Sequence, residues 1–258
     1  MTRFPALAAC GVLAFAAACA PKRPALPAGP GVPFPEFQAA YEEAVRECRG
    51  ARTLLAELGL SGRAGDTKLR GRINAGLAEP AALRLEGVVF GRPVFILAAH
   101  EGEATLLLIR EDRVVRNAAP EAIVEALTGV ALTPPELRAV VAGCGLGAAS
   151  PANGQMFGSD WASVDAAGGI TYLRRVDSRW RVGAAVRGAL TVLYADFADG
   201  LAATVHLRAG AVADITLRVS QLEINTPIDV KAFDVQVPGD AVPLTIEELR
   251  RAGPLGDR

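Results

Sequence analysis

The stretch 83-LRLEGVVFGRPVF-95 decides how this chain is read. Leu83 and Leu85 alternate with Arg84 and Glu86, the two-residue period of a strand with one buried face. The alternation then stops. Between Gly87 and Gly91, where a hairpin would turn through polar residues, stand Val88, Val89 and Phe90. These three residues either continue a buried strand or form an exposed apolar tip. The polar face ending at Glu86, a glycine on each side and Arg92-Pro93 restarting the next strand favour the tip. Three exposed apolar residues would promote aggregation on an ordinary soluble protein.

Working outward, the same grammar recurs. Strands are expected over 60–65, 67–77, 82–89, 93–100, 104–110 and 112–116, separated by short breaks such as Glu-Pro and Glu-Gly-Glu. Such spacing predicts an antiparallel meander of hairpins. A second series is expected over 160–165, 169–176, 179–187, 189–197, 201–208, 211–225 and 231–237. Helices flank both. Phe37, Tyr41, Val45, Cys48, Leu54, Leu55 and Leu58 recur at helical spacing, predicting a helix over 36–57 that Gly59 ends. A helix over 119–129 stops at Gly129, one over 133–143 carries the capping box Thr133 to Glu136 with Pro134 at its first position, and a loop rich in Gly, Ala, Ser and Pro is expected over 144–155. The tail 245–253 repeats the capping box with Thr245 and Glu248. The fold class expected is mainly β with helices. One large antiparallel sheet would curl into an incomplete, open barrel plugged by the short helices, forming a single domain over 36–253.

The N-terminus reads as a targeting segment. Arg3 precedes a fifteen-residue apolar run from Phe4 to Ala18, too short to span a bilayer and fitting a signal peptide over 1–18. It ends in 16-AAAC-19, small residues before a cysteine, as acylation of Cys19 after cleavage requires. The alternative 7-LAAC-10 would leave too few apolar residues before it, and a plain secreted protein cut near Ala18 is the blander reading. Ala20, where Asp would favour inner-membrane retention, points to the outer membrane. Pro21, Pro24, Pro27, Pro30 and Pro33 then recur every third residue, the period of a polyproline II spacer over 19–35.

Composition excludes more than it assigns. Hydrophobic residues are 51% of the 258, aromatics only 5%, and the net charge is −1, so no basic field suggests nucleic acid. Mean hydropathy is +0.27. With Cys10 removed and Cys19 acylated, Cys48 and Cys144 remain, either as a disulfide or as two separate buried thiols. No metal-ligand spacing, nucleophile elbow or phosphate loop is present, so neither metal nor cofactor is expected. The run 143-GCGLG-147 follows a helix instead of a strand, the wrong context for a dinucleotide fingerprint. His100 and His206 sit in apolar strand patterns. Asp165, Asp177, Asp196, Asp199 and Asp214 lie mainly near turns. No catalytic residue is expected.

The block 82–143 resembles the LolB outer-membrane lipoprotein receptors and, more broadly, the LolA/LolB fold. The resemblance lies in a strand, an apolar tip ending in Gly91, a strand, a hairpin, a helix ending in 127-LTG-129, the link Pro134-Pro135 and a helix ending at Gly143. It covers about a quarter of the chain, and 224–250 has no counterpart in it. The resemblance implies an apolar cavity, lidded by helices, that takes lipoprotein acyl chains from a periplasmic carrier and delivers them to the inner leaflet of the outer membrane. It also implies that Val88, Val89 and Phe90 insert into a membrane, with Phe90 at the position that matters. Arg92 would then meet lipid phosphates. Candidate cavity residues are Leu85, Val94, Ile96, Leu106, Leu108, Ile123, Leu127, Leu137 and Val141, which ordinary core packing would explain equally well. The expected protein is a monomer anchored by lipid and facing the periplasm. The alternative from another class is an envelope lipoprotein of the same fold that binds a protein partner as a structural or sensing module.

Overall fold

A computed structural model describes residues 25–253 apart from Ala148, Ala167 and Asp199. The expected signal segment, Cys19 and Asp199 lie outside the described residues. The chain forms β1 (Val32–Pro33), α1 (Phe37–Arg49), β2 (Thr53–Ala64), β3 (Thr67–Ala78), β4 (Ala82–Val89), β5 (Arg92–His100), β6 (Glu103–Leu108) and β7 (Arg113–Ala118). Helices α2 (Pro120–Thr128) and α3 (Pro134–Ala142) follow, then β8 (Gly154–Phe157), β9 (Trp161–Ala166), β10 (Gly169–Val176), β11 (Arg179–Arg187), β12 (Leu190–Ala198), β13 (Leu201–Ala209) and β14 (Ala213–Ile224). A short 3-10 turn (Val230–Phe233), β15 (Val242–Pro243) and α4 (Ile246–Ala252) complete it.

All strands among the described residues belong to one 15-stranded sheet in the order β1-β8-β9-β10-β11-β12-β13-β14-β2-β3-β4-β5-β6-β7-β15. Two meanders are joined where β14 lies antiparallel to β2, and only β15 runs parallel to its neighbour, β7. So many twisted strands cannot stay flat, and the sheet curls. Its ends, β1 and β15, are not paired with each other among the described residues, so the barrel stays open. Helices α1 and α3 fill the concave side. Helix α1 packs on β8 to β11, and α3 touches both β3 and β13.

Four corrections to the sequence reading have physical causes. Helix α1 ends at Arg49, not at residue 57, with Gly50 as its cap. Thr53 onward is strand, with Leu54, Ala56 and Leu58 buried on alternate positions. Leu54, Leu55 and Leu58 fit both periods, and pairing with β3 and β14 decided between them. The strand expected over 231–237 is instead the 3-10 turn and an irregular stretch. There the Arg84 guanidinium takes up the carbonyls of Ala232 (2.9 Å) and Asp234 (3.0 Å), groups a ladder would have used. The loop expected over 144–155 ends early, because β8 begins at Gly154. The spacer ends at Gly31: Val32 pairs with Met156, and Phe34 is buried against Trp180 at a ring distance of 5.9 Å.

The lid helices are pinned at their ends. Cys48 and Cys144 form a disulfide with Cα atoms 5.6 Å apart, tying α1 to the segment after α3. The buried Tyr194 hydroxyl on β12 donates to the Val140 carbonyl (3.0 Å) and accepts from the Gly145 N–H (3.0 Å). Burial pushes that hydroxyl far above its ordinary pKa, against the opposing Gly145 N–H. Gly145 has φ +70, and a Cβ there would meet the Ala185 side chain at 2.8 Å, so the turn needs glycine. At the other end of α3, Thr133 and Glu136 form the expected capping box, and Arg187 of β11 donates to the Glu136 carboxylate. Burial raises the Glu136 pKa, but Arg187 and the Thr133 N–H and hydroxyl outweigh it and hold the carboxyl below its usual range. Arg138 of α3 reaches the Ala51 carbonyl (3.0 Å) and Glu79 (2.8 Å).

Two outcomes test these pins. Cys48→Ala/Cys144→Ala removes a cross-link spanning 96 residues. It should lower the unfolding free energy by about 2–5 kcal/mol in denaturant titration; no change would mean that α1 and α3 are held without it. The depressed Glu136 pKa makes its contribution full above the ordinary carboxylate value of about 4.3 and lost as pH falls through the lower folded value. Relative to Glu136→Gln, the native chain should keep a higher unfolding temperature at neutral pH and lose that advantage in acid. An advantage that persists unchanged into strong acid would contradict the Arg187 pairing.

Candidate functional site: an apolar cavity and an exposed hairpin tip

Between the concave sheet and helices α2 and α3 lies a cavity of about 630 Å³, within the range of ligand pockets. Its sheet wall is built by Leu58, Leu69, Ile73, Leu77, Leu85, Leu97, Leu108, Ile215 and Leu217, its helix wall by Val124, Leu127, Leu137 and Val141, and its link by Val130 and Leu132. The hollow has a local cause on β3. The inward positions run Leu69, Gly71, Ile73, Ala75 and Leu77, so two of five carry almost no side chain. On β4, by contrast, Gly87 leaves no void: the Phe95 ring lies on it, and a Cβ there would fall 2.1 Å from that ring.

Six of the nine candidate cavity residues line the hollow: Leu85, Val94, Leu108, Leu127, Leu137 and Val141. Three do not. Leu106 and Ile123 are fully buried in the packed core. Ile96 lies between Phe95 and Leu97, both cavity-lining, and strand alternation places it on the outer face. The residues from β2, β3, β13 and β14 were missed, because no local pattern says which strands will share a concave face. The signal that could have found β3 is its run of small inward residues.

The hairpin answers the question that Val88 to Phe90 raised. Val88 and Val89 belong to β4 and are half-buried at the cavity mouth, so the exposed tip is narrower than the three residues expected. Val89 pairs with Arg92, which leaves a two-residue turn of Phe90 (φ +49) and Gly91 (φ +74). Both angles are left-handed, as in the turn that normally takes Asn-Gly. Phe90 occupies the Asn position with 95% of its surface exposed, so nothing in the fold rewards either its ring or its backbone angle. Arg92, at the same turn, is exposed.

The remaining singled-out residues do not converge on the cavity. His100 ends β5, and His206 on β13 bonds Thr216 across the ladder at 2.9 Å. Asp177 sits in a turn, and Asp196 accepts from the Thr204 hydroxyl at 2.8 Å. Asp165 lies on β9 and Asp214 on β14. No described helix is long and apolar enough to cross a membrane.

A residue kept for an outside partner should be replaceable at a gain in stability. Phe90→Asn should raise the unfolding free energy by about 1 kcal/mol by relieving the left-handed strain. That corresponds to about 2–4 °C in the unfolding temperature for a domain of this size. A fall would show that the Phe90 ring contributes to folding after all.

No family model matches the chain, and no curated protein matches it. Solved structures with similar folds include a LolA superfamily protein, NE2245, from Nitrosomonas europaea (10% identity, 79% of this chain and 98% of that one, TM-score 0.49). A DUF1329 family protein from Desulfovibrio piger is similar over 76% of this chain and 96% of that one, at 12% identity and TM-score 0.48. The Mycobacterium tuberculosis lipoprotein LppX is similar over 76% of this chain and 98% of that one, at 13% identity and TM-score 0.35. None of these likenesses assigns a role to a residue of this chain.

Proposed function

We propose that this chain is an acylated envelope protein that holds acyl chains in its cavity, with no catalytic role. In the finer reading it receives lipoproteins from a periplasmic carrier and inserts them into the outer membrane. The observation that carries the proposal is the apolar hollow itself, walled by leucine, isoleucine and valine from both the sheet and the lid helices. Hydrocarbon needs only a dry and adaptable wall. Burial stabilises an acyl chain by roughly 0.8 kcal/mol per CH₂, in the cavity or in a bilayer alike. Transfer between the two is therefore close to neutral, and its rate depends on the barrier at the crossing. Phe90, exposed beside the cavity mouth, is placed to enter the bilayer surface there and lower that barrier.

The second reading is a structural or sensing module that binds a protein partner. Val230 and Val242 favour it, because both stand exposed on the C-terminal segment that the resemblance does not cover. Lipid mass spectrometry separates the two. Purified protein lacking residues 1–18 should carry co-purifying acyl lipid, whereas protein that never carries any would leave the partner module as the better account. The tip is tested by Phe90→Glu, which should leave circular dichroism and unfolding intact and abolish acyl-chain transfer to vesicles. Undiminished transfer would reduce Phe90 to a turn residue.

A further inference from the structure

The ladder between β3 and β4 runs from Ala78↔Ala82 only as far as Arg72↔Val88. Beyond it, β3 continues without a ladder partner on that side to Thr67, past the end of β4 at Val89. A lateral gap opens there, with a hollow on each side. One is the apolar cavity. The other, of about 530 Å³, is bordered by Arg63, Asp214 and Thr216. Lys68, Leu69, Arg70 and Phe90 border both, Leu69 from the inner face of β3 and Lys68 and Arg70 from its outer face, so an apolar hollow and a charged one share this stretch of β3 and the Phe90 turn as their border.

The charge is lopsided. Five cations, Arg63, Lys68, Arg70, Arg72 and Arg110, line the two hollows against two acids, Glu111 and Asp214. Arg72 is held by Glu57 at 3.4 Å. Arg63, Lys68 and Arg70 have no ion-pair partner among the described residues, although Asp214 lies opposite Arg63 in register on β14. Arg63 and Lys68 also face each other directly across β2 and β3, and Arg70 is the next residue on the same face as Lys68. Like charges set directly opposite are unfavourable in a sheet. Three cations converging within one cross-strand pair and one strand step form a cradle for an anion, next to an opening that admits hydrocarbon.

We infer that the cavity's ligand is an amphiphile with a phosphodiester headgroup. Its acyl chain occupies the apolar cavity, and Arg63, Lys68 and Arg70 hold its phosphate in the adjoining hollow. The inference rests on the acyl-chain reading above and departs from its finer, lipoprotein-delivering form, because the diacylglyceryl group of a lipoprotein carries no phosphate. Arginine and lysine bind phosphate oxygens by charge-assisted hydrogen bonds, so the headgroup would select among lipids of equal chain length.

The test uses the chain from Ala20 onward, which contains every described element of the fold. It is titrated with phosphatidylglycerol bearing a fluorescent chain, with diacylglycerol bearing the same chains, and with inorganic phosphate alone. The phosphodiester lipid should bind roughly tenfold tighter than its neutral twin, an effect expected for charge-assisted bonds at an exposed site. Arg63→Gln/Lys68→Gln/Arg70→Gln, all at exposed positions, should lose that preference and keep the affinity for diacylglycerol. Equal binding of both lipids by the native chain, or a preference that survives the triple variant, overturns the headgroup assignment and leaves the acyl cavity standing. Binding of neither lipid overturns the acyl cavity itself. Phosphate alone binding as tightly as the lipid would make the cradle a free-anion site. A triple variant that loses only its association with anionic vesicles would make these cations a bilayer contact, and either result contradicts the proposal.

Discussion

A sheet of 15 strands that curls without closing presents more apolar inner surface than its helices can cover, and the rest of the structure follows from that mismatch. The two lid helices, α2 and α3, have nine residues each. They reach the concave face and seal part of it, but they cannot pack every strand they span. The small inward side chain of Ala75 widens the shortfall where β3 passes under the lid, whereas Gly71 and Gly87 make room for the Val88 carbonyl and the Phe95 ring. The hollow is thus written into side-chain volumes. A compact core would have needed more side-chain volume along this wall.

A hollow interior loses packing contacts, and the fold offsets the loss at its margins. The Cys48–Cys144 disulfide, the buried Tyr194 hydroxyl, the Arg187–Glu136 pair and Arg138 all hold the α1 and α3 ends of the lid. None of these pins crosses the cavity. They fix the lid's outline while its underside stays apolar, as suits the proposed acceptance of chains of no fixed conformation. The C-terminal segment adds a strap on the other side: it leaves β14, lays the 3-10 turn over β4 and β5, and pairs β15 with β7. Helix α4 then packs on α2, so the strap braces the lid from outside.

Much of this was legible in the residues, for reasons that can be stated. Hairpin strands such as β4 and β5 alternate cleanly and turn tightly, and the capping boxes at Thr133 and Thr245 are local bonds that local sequence specifies. What escaped depended on distant partners. Residues 54–58 suit a helix or a strand equally, and only β3 and β14 settle them. Ile96 read as a wall residue because both faces of β5 are apolar; the outer face is apolar because the C-terminal strap covers it. Lys68 and Arg70 alternate with Leu69 and Gly71 as on any strand, and nothing in the sequence says that β4 stops short beside them. Phe90 was recognised as out of place from its neighbours alone, but its cost became visible only with a left-handed backbone angle.

The central claim is that acyl chains lie inside the sheet, against the wall formed by β3, β4 and α2. The most direct measurement is photo-crosslinking with a lipid that carries a diazirine midway along its chain, followed by mapping the labelled residues by mass spectrometry. The account predicts labels at Leu77, Leu85 and Leu127 on the cavity wall and none at Ile96 on the outer face of the same sheet. Labels confined to Ile96, Val230 or other outer positions would show that the chain binds outside the sheet and would contradict it.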